Sequence, residues 1–219
     1  MRNFSVVTNY GCEKSCFFCA FSQHRLKGVR IPPDWHELRR CITLYQGEKI
    51  AISGGGDPLY NPQDNSPFLE KLVYLVRQCS KKVDIHTNEE LSDKISLLKG
   101  LAINQMVVST HTISTKRREE FKRLLDFCQV RAVVVYLGQS VDWLQKWLDY
   151  YSFVPKLTIR ECRGYEYNFQ AIPMQLEKQY PQLKILPDGD YNYYYMPDNK
   201  VYDDYEATTL SREFIPNQE

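Results

Sequence analysis

The chain has 219 residues and a formal net charge of +1, from 28 lysines and arginines against 27 acidic residues. This length is enough for one domain with a sizeable core. The balanced charge excludes the basic coat of a strong nonspecific nucleic-acid binder, although it does not exclude a local basic channel. No apolar run is long enough to cross a bilayer and no secretory signal is present, so we expect a cytoplasmic protein with reduced thiols and no membrane partner.

Apolar runs of strand length alternate with segments of helical period, which predicts β/α units around a mostly parallel sheet. The predicted strands cover residues 4–8, 49–52, 82–85, 105–109, 130–137 and 156–160. The predicted helices between them cover residues 33–45, 66–78, 91–98, 115–128 and 141–150. Six strands and five helices in alternation fit one repeated unit.

After the sixth strand the alternation stops. Turn signals at Asp188-Gly189 and at Pro197-Asp198-Asn199 predict short strands that form a hairpin appendage. The many tyrosines of this segment fit a base-stacking surface, or an edge hairpin that covers the open side of a barrel, which is the interpretation we favour. We therefore expect a core over residues 1–165 and a C-terminal extension over residues 166–219 within the same structural domain.

Three cysteines lie within eight residues near the start of the chain. Cys12, Cys16 and Cys19 have the spacing C-x3-C-x2-C, while the other four cysteines and the four histidines are scattered. A structural zinc site normally has four protein ligands arranged in two pairs. Three clustered ligands instead indicate a metal site with one open position, and a zinc site completed by a distant histidine is the alternative.

This spacing, with Phe18 before the last cysteine, resembles the cluster loop of the radical S-adenosylmethionine (radical SAM) superfamily. In that family three thiolates hold a 4Fe-4S cluster and leave one iron open. The family's loop follows the first barrel strand, as it does here. The resemblance implies that Cys12, Cys16 and Cys19 are the metal ligands.

A second element lies at the end of the second strand, where the family carries a G-G-E-P motif that holds the amino group of SAM. The matching residues are Ser53, Gly54, Gly55, Gly56, Asp57 and Pro58. This chain departs from the pattern, because it has a third glycine and an aspartate in place of the glutamate. We therefore expect backbone polar atoms to carry more of the contact with the SAM amino group. Glycines still permit a close backbone approach, and the carboxylate would still attract an ammonium group.

Polar residues end the next two strands, where parallel β/α barrels assemble their sites. Asn88 lies in a segment similar to the family's T-N-G, with Glu89 in place of the glycine. Ser109 and His111 lie where the family contacts the ribose and carboxylate of SAM. The resemblance implies cofactor-binding roles for all three residues.

The ends of the fifth and sixth strands supply the remaining candidates. Phe18 and Leu137 are expected to close opposite sides of the adenine. Arg160 or Arg163 is expected to bind the SAM carboxylate or an anionic substrate group. Cys162 is a candidate catalytic residue that returns a hydrogen atom to a product radical, with a purely structural cysteine as the alternative. Thr158 shares a strand face with Arg160 and Cys162, and the sequence leaves open which face looks inward.

The resemblance extends over about residues 4–163 and implies an α/β fold, an incomplete (β/α)6 TIM-like barrel with a small C-terminal hairpin. It further implies an enzyme that reductively cleaves SAM to a 5′-deoxyadenosyl radical, which removes hydrogen from a small molecule or nucleotide. The reductant would be a flavodoxin or ferredoxin. One alternative is an activase or modifying enzyme acting on a peptide, protein or nucleic acid. A more distant alternative is a zinc-stabilised binding module without catalysis.

Overall fold

The computed structural model describes residues 3–7, 9–12, 14, 16–19, 29–53, 55–60, 62–162, 169, 172, 175–187 and 192–203. The strands in this part of the chain are β1 (Asn3–Val6), β2 (Asn9–Tyr10), β3 (Val29–Arg30), β4 (Lys49–Ile52), β5 (Lys82–Thr87), β6 (Gln105–Ser109), β7 (Gln129–Tyr136), β8 (Lys156–Glu161), β9 (Leu183–Leu186), β10 (Asn192–Tyr195) and β11 (Val201–Tyr202). The helices are α1 (Trp35–Leu44), α2 (Pro62–Gln78), α3 (Ile95–Gly100), α4 (Thr115–Leu125), α5 (Val141–Tyr150) and α6 (Gln175–Gln179). None of these helices has the length and apolar character needed to span a membrane.

Nine strands form one sheet in the order β11-β10-β1-β4-β5-β6-β7-β8-β9, and its two outermost strands do not pair with each other. Every neighbouring pair in this sheet is parallel except the hairpin of β10 and β11. The short strands β2 and β3 pair separately, in antiparallel fashion. The predicted fold class is therefore confirmed as an unclosed, mostly parallel α/β barrel with a C-terminal antiparallel hairpin.

The six predicted barrel strands correspond to β1, β4, β5, β6, β7 and β8, and the five predicted helices are also present. α2 begins at Pro62, four residues earlier than predicted, because proline is well tolerated in the first turn of a helix. The sheet is also larger than predicted. β9 continues it beside β8, and β10 pairs in parallel with β1 on the other side.

The two faces of the sheet differ in chemistry because side chains alternate along each strand. One face packs against the helices and is apolar; on β8 it carries Leu157 and Ile159, which are fully buried in the hydrophobic core. The opposite face is polar, and we call it the concave face. Its polar members include Lys49, Asp84, His86, Gln105, Arg131, Lys156, Thr158, Arg160 and Cys162. Thr158, Arg160 and Cys162 therefore look inward.

Two buried aromatic residues, Trp147 of α5 and Tyr151, the C-cap of that helix, hold the loop that follows β6. The Trp147 indole Nε1 donates to the Thr110 carbonyl at 3.2 Å, and the Tyr151 hydroxyl donates to the Thr112 carbonyl at 3.1 Å. The same hydroxyl accepts a hydrogen bond from the amide of Ser114, the N-cap of α4, at 3.2 Å. These bonds fix the path of the chain between the end of β6 and the start of α4.

We predict that Tyr151→Phe lowers the free energy of unfolding by about 1–3 kcal/mol, because the Thr112 carbonyl and the Ser114 amide each lose a hydrogen-bond partner. Tyr150→Phe is the matched control. The Tyr150 hydroxyl makes only a long 3.4 Å contact with Thr115 Oγ1, so its loss should change the free energy by about 0.5 kcal/mol or less. Urea unfolding measures both variants, and an equal effect would contradict the role assigned to Tyr151.

Candidate cofactor site at the carboxyl ends of the strands

The glycine-rich loop after β4 packs directly against the cysteine loop. The Asp57 amide donates to the Gly11 carbonyl at 2.7 Å, and a Cβ atom at Gly56 would overlap the backbone nitrogen and oxygen of Gly11. Gly55 has a positive φ of 74°, which side chains rarely adopt. Glycine is therefore needed at these two positions of the predicted motif for different reasons: at Gly56 for the close contact and at Gly55 for the positive φ. Gly54 lies outside the described residues.

Asp57 is buried, and its carboxylate is engaged within the protein. It accepts hydrogen bonds from the Thr87 hydroxyl at 2.7 Å and 2.9 Å, from the Asn88 amide at 2.6 Å and from the Leu59 amide at 2.9 Å. Burial raises the pKa of Asp57, and these hydrogen bonds oppose that rise. The predicted contact between Asp57 and the SAM amino group stays a prediction. The observed contacts tie the glycine loop to the end of β5.

Ser53 and Pro58 flank this loop and fix its position on the sheet. The Ser53 amide donates to the Val6 carbonyl of β1 at 3.3 Å, and its hydroxyl lies 3.5 Å from that of Ser5. Pro58 is buried. The loop is therefore anchored to β1 on one side and to β5 on the other.

The cysteine loop carries three half-buried thiols outside any disulfide. The Cys19 amide donates to the Cys16 carbonyl at 3.0 Å, and the Asn88 side-chain amide donates to Cys16 Sγ at 3.6 Å. Burial raises the pKa of Cys12 to about 12; the Lys14 amide opposes this rise, and the charge of Cys16 contributes to it. Burial also raises the pKa of Cys16, and the charge of Cys19 adds to that shift.

In the described part of the chain, no three His, Cys, Asp or Glu side chains are drawn together tightly enough to hold a metal ion. The thiols of Cys12, Cys16 and Cys19 nevertheless lie close enough to perturb one another's ionisation. Three sulfur donors on one loop suit an iron-sulfur cluster better than a hard cation, which prefers oxygen ligands. The residues present therefore fit the cluster that the sequence motif predicts.

Glu89, which replaces the glycine of the family's T-N-G element, lies beside this loop. Its side chain is almost fully buried, with Oε1 3.9 Å from Cys12 Sγ and Oε2 3.9 Å from the Lys94 ammonium. Lys94 is also buried and donates to the Glu90 carbonyl at 3.0 Å. A carboxylate whose charge is partly balanced by a lysine thus faces the first cysteine of the motif.

A polar pocket of about 270 Å³ lies next to the cysteine loop, at the ends of β5 and β6. Three predicted cofactor-binding residues, Asn88, Ser109 and His111, line it. The ring of Phe18 meets His111 edge-on, with centroids 5.2 Å apart, so the predicted aromatic wall stands beside them. Burial, together with the Arg117 charge, lowers the pKa of His111. Its buried Nδ1 has no hydrogen-bond partner in the described part of the chain.

Three cations also line the pocket, and sequence reasoning did not assign them to the site. Lys116 pairs with Glu90, and Arg117 is held by Glu120 at 2.8 Å. Lys14 differs, because its ammonium makes no hydrogen bond or ion pair with any other residue that the structure describes. It lies between the first two cysteines of the motif and leaves a positive charge available to a ligand.

Three other predicted residues do not line the polar pocket. Leu137 follows β7, where its amide donates to the Gln139 side chain at 2.7 Å. Arg160 is exposed near the end of β8, and Cys162 is buried just after that strand. The structure therefore gathers Phe18, Asn88, Ser109 and His111 at one place, and leaves these three residues at the β7 and β8 side of the barrel. Arg163, the alternative to Arg160, lies outside the described residues.

Comparisons with known proteins agree with the fold and the motif. A family model described as the radical SAM superfamily matches residues 6–142. None of the curated proteins compared with the chain gives a significant match.

Solved structures show the same fold at low sequence identity. SuiB of Streptococcus suis, bound to the precursor peptide SuiA, is 15% identical with a TM-score of 0.69, over 99% of this chain and 61% of SuiB. SuiB bound to S-adenosylmethionine is 16% identical with a TM-score of 0.61, over 85% of this chain and 47% of SuiB. Native anSMEcpe with bound AdoMet and Cp18Cys peptide is 14% identical with a TM-score of 0.61, over 84% and 62% of the two chains. The chain thus spans less than two thirds of each of these proteins.

We predict that Gly56→Ala lowers the free energy of unfolding by about 1–3 kcal/mol, because the new methyl group meets backbone atoms of Gly11 that have little room to move. Gly100→Ala is the control, since a Cβ atom there would meet nothing within 4 Å. Urea unfolding of both variants tests the prediction. If Gly56→Ala is as stable as Gly100→Ala, the glycine loop does not depend on close contact with the cysteine loop.

Proposed function

The chain belongs to the radical SAM superfamily, and from that premise we propose that it binds a 4Fe-4S cluster through Cys12, Cys16 and Cys19 and SAM in the adjacent polar pocket. The observation that carries the proposal is the direct packing of the glycine loop on the cysteine loop, through the 2.7 Å bond between Asp57 and Gly11. This packing brings the two sequence motifs together with the pocket at one end of the barrel.

The polar pocket offers suitable groups for each part of SAM. Lys14 would bind the methionine carboxylate, because it lines the pocket and its ammonium makes no hydrogen bond or ion pair with another described residue. Asn88 and Ser109 present hydrogen-bonding groups for the polar atoms of the ligand. Phe18 and His111 form an aromatic wall against which the adenine would pack.

The glycine loop would meet the SAM amino group through its backbone. The Asp57 carboxylate already accepts bonds from Thr87, Asn88 and Leu59, so we assign it to holding the loop in place. Backbone carbonyls of the loop are left as the acceptors for an ammonium group. The departures from the family motif, a third glycine and the shorter acid, agree with this division of roles.

When bound, the cluster and SAM supply a carbon-centred radical that removes a hydrogen atom from a substrate. The chain's own residues bind and orient the cofactor and keep water away from it. Cys162, buried after β8 on the concave face, stays our candidate for returning a hydrogen atom to the product. Phe17 is 63% exposed beside Cys16, so the cysteine loop lies at the surface, within reach of a reductant such as flavodoxin or ferredoxin.

The substrate we favour is a small molecule or nucleotide that enters the concave face. A peptide is the alternative, because the structures of SuiB and anSMEcpe contain bound peptides. The shared fold alone does not decide between these substrates.

We predict that Cys16→Ala abolishes cluster binding and the formation of 5′-deoxyadenosine from SAM, because two thiolates on the loop are too few to hold the cluster. Anaerobic reconstitution followed by iron analysis, visible absorption and product detection tests this. Cys79→Ala is the control, since Cys79 follows α2, outside the cysteine loop. A colourless wild-type protein with tightly bound zinc would instead support the non-catalytic binding module.

We predict that Lys14→Gln weakens SAM binding about tenfold, because the substitution removes a charge-assisted hydrogen bond to the methionine carboxylate. Equilibrium dialysis of the reconstituted protein measures the dissociation constant. Lys178→Gln, on the exposed surface of α6, is the matched control. Equal affinities for SAM in the two variants would exclude the role proposed for Lys14.

A further inference from the structure

Positive charge outweighs negative charge on the concave face. Four cations look inward from β4, β7 and β8, namely Lys49, Arg131, Lys156 and Arg160. Asp84 is the one carboxylate among the described inward-facing residues of the central strands. The whole chain carries a net charge of only +1, so this local excess does not come from a generally basic composition.

Among the described residues, the two lysines have hydrogen-bond or ion-pair partners and the two arginines have none. Burial raises the pKa of Asp84, and the charges of Lys49, Arg131 and Lys156 oppose that rise. Lys49 Nζ lies 3.6 Å from Asp84 Oδ2, and Lys156 Nζ donates to Gln129 Oε1 at 2.8 Å. Neither Arg131 nor Arg160 makes a side-chain hydrogen bond or ion pair with any other residue that the structure describes. Arg131 is half-buried on the concave face and Arg160 is exposed near the end of β8. Both guanidinium groups are available to an anion, because each offers several donors in a fixed planar fork.

A second and independent observation concerns Gln105. Gln105 is 1% exposed, and neither its amide oxygen nor its amide nitrogen has a hydrogen-bond partner among the residues that the structure describes. One carboxylate oxygen of Asp84, which lies beside Gln105 in the register of β5 and β6, is also unpartnered. Buried amides without partners are rare because they lose their hydration without compensation. Gln105 therefore indicates that a polar group binds inside the barrel.

His86 adds a neutral hydrogen-bonding group to this set. It shares a rung of the sheet with Val107 and Arg131. Burial, together with the charges of Arg131 and Arg160, lowers the pKa of His86 to about 3. The imidazole is therefore neutral at physiological pH, and its N–H can donate to an anion without adding to the repulsion between the two arginines.

We propose that the concave face binds an oxyanion group of the substrate, a carboxylate or a phosphate, through Arg131 and Arg160, with Gln105 donating a hydrogen bond from the barrel floor. The identification of this ligand as the substrate rests on the proposed function, whereas the oxyanion site itself does not. Arginine suits both anions because its paired N–H groups match two oxygens of either one.

The test measures the thermal unfolding midpoint of the anaerobically purified protein in inorganic phosphate, in succinate, and in potassium chloride of equal ionic strength. Ligand that binds only the folded state raises the midpoint. We expect phosphate or succinate to raise the midpoint of the wild type and of Arg39→Gln, whose residue is exposed on α1. In Arg131→Gln and Arg160→Gln the apparent affinity should fall about tenfold or more. The more effective anion indicates whether the natural group is a phosphate or a carboxylate.

Gln105→Met separates anion binding from folding. The buried amide has no hydrogen-bond partner among the described residues, so this variant should unfold in potassium chloride at the wild-type midpoint or above. Phosphate or succinate should nevertheless raise its midpoint by less than it raises that of the wild type. If the anion raises the unfolding midpoint equally in the wild type, both arginine variants and Gln105→Met, the proposal is overturned, because general salt effects on stability do not depend on these side chains.

SAM cleavage assayed on the same preparations distinguishes this proposal from the proposed function. Arginine-dependent anion binding in a protein that does not cleave SAM would support the oxyanion site and reject the radical SAM activity. SAM cleavage together with arginine-independent stabilisation would support the activity and reject the site.

Discussion

The buried carboxylate of Asp57 is the constraint on which the site depends. A carboxylate removed from water needs hydrogen-bond donors, and here the donors come from Thr87, Asn88 and Leu59. Satisfying Asp57 therefore joins the end of β4 to the end of β5. The amide of the same residue donates to the Gly11 carbonyl, so the cysteine loop is also fixed to these strand ends. One residue thus couples three segments that are distant in the sequence.

The rest of the barrel supplies two chemically different surfaces around the joined ends of β4 and β5. The pocket at the ends of β5 and β6 combines hydrogen-bonding groups, an aromatic wall and the ammonium of Lys14. Trp147 of α5 and its C-cap Tyr151 hold the loop that follows β6. The β7 and β8 side instead presents two arginines on the concave face. A cofactor at the first surface and an anionic substrate at the second would approach each other across the barrel.

The sequence predicted the repeated β/α units well because the period of the apolar residues is a local signal. The side chains of Asp34, Ser114 and Ser140 cap the helices that follow them. It did not predict that β10 pairs in parallel with β1, since strand pairing across most of the chain leaves no local signal. In the site, the cysteine and glycine motifs were recognisable, but the burial of Glu89 beside Cys12 was not. The inward face of β8 became clear only once Leu157 and Ile159 were found in the core.

The most direct test of the central claim is electron paramagnetic resonance of the reconstituted, dithionite-reduced protein, recorded with and without SAM. If three cysteines of one loop hold a 4Fe-4S cluster beside the SAM pocket, the reduced protein should give the signal of a single such cluster. Stoichiometric SAM should change that signal, because the ligand binds the iron that lacks a cysteine. A reduced cluster whose spectrum is the same with and without SAM would contradict the account.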